Sequence, residues 1–431
     1  MKEFRLFVAK IETAALRGEI NSDLDFHIAA KSMLNGQVSK VFRSTVPLDN
    51  RREHGIFFTN EKLAQIVTHK FISDFNRESL IADPACGTGD LLIACANKLP
   101  VGSTLKETLR IWENNLLGFD IFPEFIRATK ARLILLAKLK TKSIYSCIED
   151  IDDYFPLIRV QNFLEDSSGI EKASHIVLNP PYNKTSAPDD CLWANKKISA
   201  ASLFMDICIS KASSDTKIRA ILPDVLRAGS SYLKWREHIE SLSKNMDVTI
   251  YGQFDEWTDI DVFTLRLQKA IYNKKPSNNK WTISTDSDNT LGSYFDVHIG
   301  PVVPHRDPKK GPKWAYIHAK TVGMWKEMER ISESRKYNGT VFTPPFVVVR
   351  RTSRPGDERA IGTVIKGKRK VAIENHLVVL LPKKKTLGEC RRLLKVLKSS
   401  STDKWLNQRI RCRHLTVEAI KKIPYGGLYD R

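Results

Sequence analysis

Between about residues 55 and 272 the chain alternates short apolar runs with longer helix-like stretches, and this alternation constrains the fold more than any other feature. "SLIADPA", "NLLGFDI", "HIVL" and "KIRAILP" have the length and apolar continuity of strands buried on both faces. Between them, "GDLLIACANKL", "PEFIRATKARLILLAKL" and "ASLFMDICISKAS" read as helices. Strand–helix–strand order makes successive strands parallel and covers both faces of one sheet with helices. The last two runs, "DVTIYGQF" and "VFTLRLQKAIY", follow each other without a helix, so the sheet ends in an antiparallel hairpin. The expected fold class is α/β.

Three regions are expected along the chain. Residues 1–50 read as a helical segment, with Phe4, Phe7, Val8, Ile11 and Leu16 at roughly helical spacing. Residues 51–275 form the α/β unit. The polar stretch "NKKPSNNKWTISTDSDNTLGS" reads as a linker to a basic α+β region at 290–431. The balance of 69 Lys+Arg against 49 Asp+Glu, a net charge of +20, calls for a polyanionic partner. Nucleic acid is the first choice and an anionic membrane surface the alternative. No apolar run is long enough to span a bilayer, "VAIENHLVVLL" being short and interrupted by charge. The N-terminus carries scattered acids and no apolar signal core, from which a cytoplasmic protein is expected. The seven cysteines form no CxxC pair and no zinc-ligand spacing, so free thiols and no metal are expected.

Two breaks in the α/β pattern carry chemistry. After "SLIADPA" comes Cys86-Gly87-Thr88-Gly89-Asp90, and glycines at a strand-to-helix turn bring backbone close to a ligand. The third glycine of a dinucleotide fingerprint is missing, Leu92 standing in its place, so pyrophosphate binding is not specified. Asp83 ends this strand and Asp120 ends the next. An acid at the latter position is placed to accept hydrogen bonds from a ribose diol, while capping of the helix at Pro123 is the structural alternative. Together the acids suit a nucleoside with a cationic tail. The second break is Asn179-Pro180-Pro181-Tyr182 after "HIVL": two prolines give no N–H to a sheet and end the strand.

"ADPACGTGDLL", "GFDI" and "NPPY", in that order within a parallel α/β unit, resemble the adenine-N6 DNA methyltransferases of restriction–modification systems, in their gamma motif order. The resemblance implies a Rossmann-like S-adenosylmethionine-dependent methyltransferase sheet and S-adenosylmethionine as cofactor. "GIFFTNEKLAQIV" resembles the family's N-terminal cofactor motif, with Thr59-Asn60 where Thr-Pro is usual. "VQNFLED" resembles its adenine-contacting motif, with Asn162-Phe163 where Asp-Phe is usual. The implied cofactor contacts are Thr59, Asp83, Ala85, Cys86, Gly87, Gly89, Asp120, Ile121, Asn162 and Phe163.

An exocyclic amine on an aromatic base is a weak nucleophile, because its lone pair is delocalised into the ring. Acceptors aimed at its N–H groups pull it toward tetrahedral geometry and stabilise the positive charge that develops on methyl transfer. Asn179 offers a side-chain carbonyl and Pro180 a backbone carbonyl that Pro181 fixes in an extended residue. Tyr182 offers a π-face for stacking. A base inside a duplex must be flipped out, and a second aromatic is then needed on its other face. Phe254 and Trp257, in the connection "YGQFDEWTDIDVF", are the candidates, with a core role for Phe254 equally open.

The basic half interleaves Lys and Arg with Trp314, Tyr316 and Phe346, resembling a target-recognition domain for double-stranded DNA. Arg350 and Arg351 are the candidate DNA contacts, with plain surface charge as the alternative; Asn375 and His376 are read as structural. No endonuclease constellation stands out, so cleavage is expected from a separate chain. Competing readings are RNA adenine methylation, protein glutamine-N5 methylation and a non-catalytic DNA-binding subunit.

Overall fold

The computed structural model describes residues 2–17, 23–53, 55–69, 71, 78–255, 258–271, 281, 289–356 and 358–425. Most of the polar linker stretch lies outside them. The chain divides into two compact units: Met1–Pro223 with Lys234–Asn278, and Asp224–Leu233 with Asn279–Arg431.

The first unit opens with helices α1 (Lys2–Arg17), α2 (Asp23–Leu34), α3 (Gln37–Thr45), α4 (Leu48–Glu53) and α5 (Glu61–Thr68). Then follow β1 (Ile81–Asp83), α6 (Asp90–Ala96), α7 (Leu105–Asn115), β2 (Leu116–Asp120), α8 (Pro123–Thr141), β3 (Ile158–Val160) and β4 (His175–Leu178). A small hairpin, β5 (Lys184–Ser186) with β6 (Lys197–Ser199), leads to α9 (Ala200–Lys211) and β7 (Lys217–Pro223). After α10 (Asp224–Ala228) and α11 (Leu233–Ser241), the strands β8 (Ser243–Asp255) and β9 (Thr258–Lys269) complete it. Among the described residues seven strands form one sheet in the order β3-β2-β1-β4-β7-β9-β8. The first five are parallel, and β9 and β8 run antiparallel, as the pattern of apolar runs requires.

Residues 1–50 pack into the same core as the α/β unit. Helix α8 is buried at every position from Ala128 to Lys138, around its whole circumference, and a helix buried on all sides needs partners on all sides. The sheet takes one side. The stripe Phe4, Val8, Ile11 and Ala15 of α1 takes another, within the same core. Phe4 and Phe42 set their rings edge-on to Phe125 at 5.8 and 5.4 Å.

The second unit holds a five-stranded sheet and a three-stranded one, built from β10 (Phe295–Ile299), β11 (Lys313–Ile317), β12 (Lys326–Met328), β13 (Ser334–Lys336), β14 (Phe346–Arg350), β15 (Gly362–Ile365), β16 (Val371–Ile373) and β17 (Leu377–Pro382). It also takes in Asp224–Leu233 from within the expected catalytic span. A buried ion pair within this segment, Arg227 to Asp224 at 2.6 Å, is tied to the rest of the unit, where Arg411 N–H donates to Asp224 Oδ2 at 2.7 Å. The Arg227 guanidinium also donates to the carbonyls of Trp281, Gln408 and Arg409. Among the described residues no helix is long and apolar enough to cross a membrane, and no group of His, Cys, Asp or Glu is placed to hold a metal ion.

Candidate active site

Strand order places the chemistry. Strands β1 and β4 are neighbours, yet the chain moves outward from them in opposite directions, so their carboxyl ends flank a crevice. Asp83 ends β1, Asp120 ends β2, and Asn179 follows directly on β4. The residues singled out from the sequence therefore meet at one sheet edge.

Pro84 stops β1, and the turn that follows uses left-handed backbone at Gly87 (φ 53°) and Gly89 (φ 87°). A Cβ on Gly89 would stand 2.7 Å from Thr129 Cγ2, so a side chain is excluded there twice over. The turn is bolted to β2: Cys86 N–H donates to the Phe119 carbonyl at 2.9 Å, and Gly87 N–H donates to Asp120 Oδ2 at 3.0 Å. Asp120 Oδ1 accepts from Phe122 N–H at 3.0 Å, while the residue at the α8 cap is Phe122 itself. The carboxylate thus closes a tight turn at the sheet edge.

Burial pushes the Asp83 carboxyl up to about 8, with Asp120 and Asp90 adding to the rise against a hydrogen bond from Ala85 N–H. Asp120 rises to about 6, also through burial, opposed by its backbone donors. Burial pushes the Cys86 thiol well above its ordinary value, which keeps it out of nucleophilic chemistry.

The Asn179 amide is held from one side. Its Nδ2 donates to the Phe57 carbonyl at 2.9 Å and to Thr59 Oγ1 at 3.0 Å. Both N–H bonds are spent on the scaffold, so Oδ1 faces the other way as an acceptor. There it accepts from the Tyr182 hydroxyl at 2.7 Å. The Tyr182 ring stacks on Phe57 at 5.3 Å and 26°, and Phe254 meets it edge-on at 6.1 Å and 87°. Gly55 lets this bracket close: a Cβ there would sit 2.8 Å from the backbone nitrogens of both Tyr182 and Asn183, and its φ is +65°.

Sequence reading placed Thr59 against the cofactor; in the structure it accepts from the Asn179 amide and lines a small recess with Asp83, Ala85 and Gly87. It did not find Phe57, whose signal is the aromatic pair in "GIFFTN". Asn60 does what a proline could not: its Oδ1 accepts from Leu63 N–H at the cap of α5, and its Nδ2 donates to the Phe254 carbonyl. Phe254 is a core residue, 1% exposed, that also edges the Tyr182 ring. Trp257 lies outside the described residues.

A cavity of about 300 Å³ opens at this edge, lined by Gly87, Asp120, Ile121, Asn162, Phe163 and Asn179 among others. Ala85 and Pro181 reach it too. Ile121 is half exposed, while Phe163 is buried between Phe119 and Phe204. The Asn162 amide is used locally, accepting from Leu164 N–H and donating to Glu165. A larger hollow of about 500 Å³, beside α2, α5 and α6, is lined by Thr59 and Asp90 but by neither Asp120 nor Asn179. The smaller cavity is the candidate site, because Asp120 and the Asn179 amide line it, and Asp83 lines a recess of about 20 Å³ that shares Ala85, Gly87 and Asn179 with it.

In the second unit Arg350 Nη2 donates to the Val322 carbonyl at 3.0 Å, which commits that guanidinium to the fold. Arg351 lies just beyond β14. Its backbone N–H donates to the His376 carbonyl. Asn375 N–H donates to the Val302 carbonyl, and His376 Nδ1 lies 3.2 Å from Glu374.

Residues 44–239 match the protein family described as N-6 DNA Methylase. Among solved structures, the chain is similar to the type IIL restriction-modification enzyme MmeI in complex with DNA, with a TM-score of 0.54 at 11% identity over 91% of this chain and 70% of that one. It is similar to the type IIG restriction endonuclease BpuSI, with a TM-score of 0.47 at 14% identity over 95% of this chain and 62% of that one. A type I modification subunit from Vibrio vulnificus YJ016 gives a TM-score of 0.43 at 15% identity over 58% of this chain and 51% of that one. The matches thus span about half of the Vibrio subunit and 62% of BpuSI. At these identities the likeness is one of fold.

Proposed function

We propose, from the match of residues 44–239 to the family described as N-6 DNA Methylase, that the chain is a site-specific methyltransferase moving a methyl group from S-adenosylmethionine to N6 of a flipped adenine in double-stranded DNA. The observation that carries this reading is the locked Asn179 amide, whose carbonyl faces the crevice beside the turn that ends β1. The residues present fit the cofactor: a buried acid for a cationic tail, a second acid for a ribose diol, and a glycine turn whose Gly87 lines the cavity. When bound, S-adenosylmethionine supplies a methyl group made electrophilic by a sulfonium. Asp83 and Asp120 hold the charged tail and the ribose, and Ile121 and Phe163 give the adenine ring apolar walls. Asn179 Oδ1 and the Pro180 carbonyl accept from the amine and share the positive charge that grows on it. Oδ1 keeps a lone pair for this while it accepts from Tyr182. Phe57 covers one face of Tyr182, so the base takes the other.

The second unit is the proposed reader of the target sequence, and a restriction endonuclease on a separate chain is the proposed partner. We place the activity in the cytoplasm, in keeping with seven free cysteines. The test is incubation with labelled cofactor and duplex DNA of varied sequence or tRNA, followed by digestion to nucleosides. N6-methyladenine in DNA alone is expected. Its appearance only in tRNA would move the reading to RNA, and its absence from both, with folded protein, would overturn it.

Two further outcomes are expected. Thr59→Val should lower kcat about tenfold, the worth of one orienting hydrogen bond, and leave cofactor affinity within about twofold, while Thr59→Ser restores the rate. A fall in cofactor affinity instead would return Thr59 to a cofactor contact. The second concerns pH. Asp83, with its carboxyl pushed up to about 8, is protonated in the free folded protein at neutral pH and ionised in the unfolded chain above about 4. Stability of the free protein therefore falls as pH rises from about 4 to about 8. A cation beside Asp83 favours the ionised form, so cofactor binding below pH 8 releases a proton and tightens as pH rises toward 8. Calorimetry in buffers of different ionisation enthalpy reads that proton directly. A pH-independent affinity would remove Asp83 from the cation's contacts.

A further inference from the structure

Beyond the end of β14, residues 351–354 of the second unit are tied to two other segments. Arg351 N–H donates to the His376 carbonyl at 2.9 Å, and Leu415 N–H donates to the Arg351 carbonyl at 2.8 Å. Ser353 N–H donates to the Arg413 carbonyl at 3.0 Å, and Thr352 Oγ1 lies 3.1 Å from His414 Nδ1. Beneath them the buried Arg359 guanidinium donates to the carbonyls of Ile410 at 3.1 Å and Cys412 at 2.8 Å. These bonds bring the backbone segments that carry Arg351, Ser353, His376 and His414 together.

Charge there is unbalanced. His414 is held below the usual imidazole range, first by burial and then by Arg351, His376 and Arg413. Glu374 offsets His376 at 3.2 Å. Among the described residues no carboxylate lies within ion-pair distance of Arg351 or His414. Arg351 Nε and Ser353 Oγ are buried with no hydrogen-bond partner among the described residues. Buried donors without acceptors cost stability, and a cationic cluster that repels itself is stabilised by an anion that answers both deficits.

We propose that the Arg351–Ser353–His376–His414 cluster is a phosphate-binding nook that grips a phosphodiester of the DNA backbone. A phosphate oxygen pair matches the guanidinium fork, and hydroxyl and imidazole supply neutral donors around it. A single guanidinium fork offers a charge suited to the monoanionic diester more than to a free dianion. Such a contact fixes register on the duplex and reads no base. The identity of the polymer rests on the reading proposed above; the anion chemistry does not.

The test uses the full chain and measures duplex affinity against salt from about 50 to about 200 mM. Arg351→Gln should weaken DNA binding about tenfold and make the plot of log K against log salt shallower by about one. Cofactor affinity should not move. Ser353→Ala, a smaller change, should weaken binding about threefold and serves where Arg351→Gln does not fold. Wild-type affinity and slope in both folded variants would overturn the nook. A parallel phosphorus resonance titration with inorganic phosphate separates the sources. Phosphate that binds as tightly as duplex would overturn the diester assignment. Should the wild type ignore DNA yet bind phosphate through Arg351, the nook stands and the DNA reading fails; binding of neither sinks both.

Discussion

Asn179→Ala is expected to lower kcat by about 10² to 10³ while cofactor affinity stays within about twofold. The magnitude is that of removing one preorganised electrostatic contact from a reacting group. The geometry says why the loss should fall on kcat. Phe57 and Thr59 hold the amide so that its oxygen is aimed before substrate arrives, and the gain from such preorganisation is realised only as charge grows on the amine. The cofactor contacts, Asp83 and Asp120, hang on other strands and other hydrogen bonds. Rapid-mix single-turnover kinetics with separate cofactor titration would measure both quantities. Parallel loss of rate and cofactor affinity would mean that Asn179 props up the crevice and does not touch the amine. Asn179→Asp is a useful companion, since it keeps an acceptor but sets a carboxylate oxygen against the Phe57 carbonyl.

Much of this site is legible in the chain because its parts sit at strand ends. A buried parallel strand is a short apolar run, and whatever residue breaks the run must lie at the sheet edge; Asp83, Asp120 and Asn179 each do so. The helices legible in advance, such as α8 and α9, have apolar residues on every side. Helix α7 escaped because "LKETLRIWENN" is mostly charged or polar, its buried face being Leu105, Thr108, Leu109 and Trp112. What a linear pattern cannot carry is pairing between distant residues. Thr59 and Asn179 are 120 positions apart, and nothing in "GIFFTN" announces that its threonine accepts from that amide. The same limit hides the transfer of Asp224–Leu233 to the second unit, which depends on one arginine finding carbonyls more than 180 residues away. In both cases a polar side chain satisfies buried backbone or amide groups, and such bonds have no sequence period.

Arg132→Met is expected to lower the unfolding temperature by about 10 °C, the counterpart of about 3–5 kcal/mol for breaking a buried ion pair from one side. Arg132 is fully buried. Its Nε donates to the Met33 carbonyl at 3.0 Å, and its Nη2 donates to the Leu34 carbonyl at 2.9 Å and to Asp90 Oδ1 at 2.9 Å. Its Nη1 donates to the Thr88 carbonyl. One guanidinium thus joins the end of α2 to the turn that starts α6, so the N-terminal helices and the turn proposed to cradle the cofactor share a fastening. Methionine keeps most of the volume and none of the donors, leaving three carbonyls and a carboxylate unmet. Burial already raises Asp90, and Arg132 is what restrains the rise. In the variant Asp90 therefore climbs further and takes up a proton as pH falls. The sign follows: the deficit in melting temperature should be larger at pH 8 than at pH 5, since lower pH favours the protonated acid and so removes buried charge. Adding Asp90→Asn to Arg132→Met should recover part of the loss and flatten that pH dependence, since the coupling lies in the pair. Calorimetric melts of the four proteins of this cycle at both pH values give the answer, and a single-variant shift below about 2 °C at pH 8 would show that the fastening lies elsewhere.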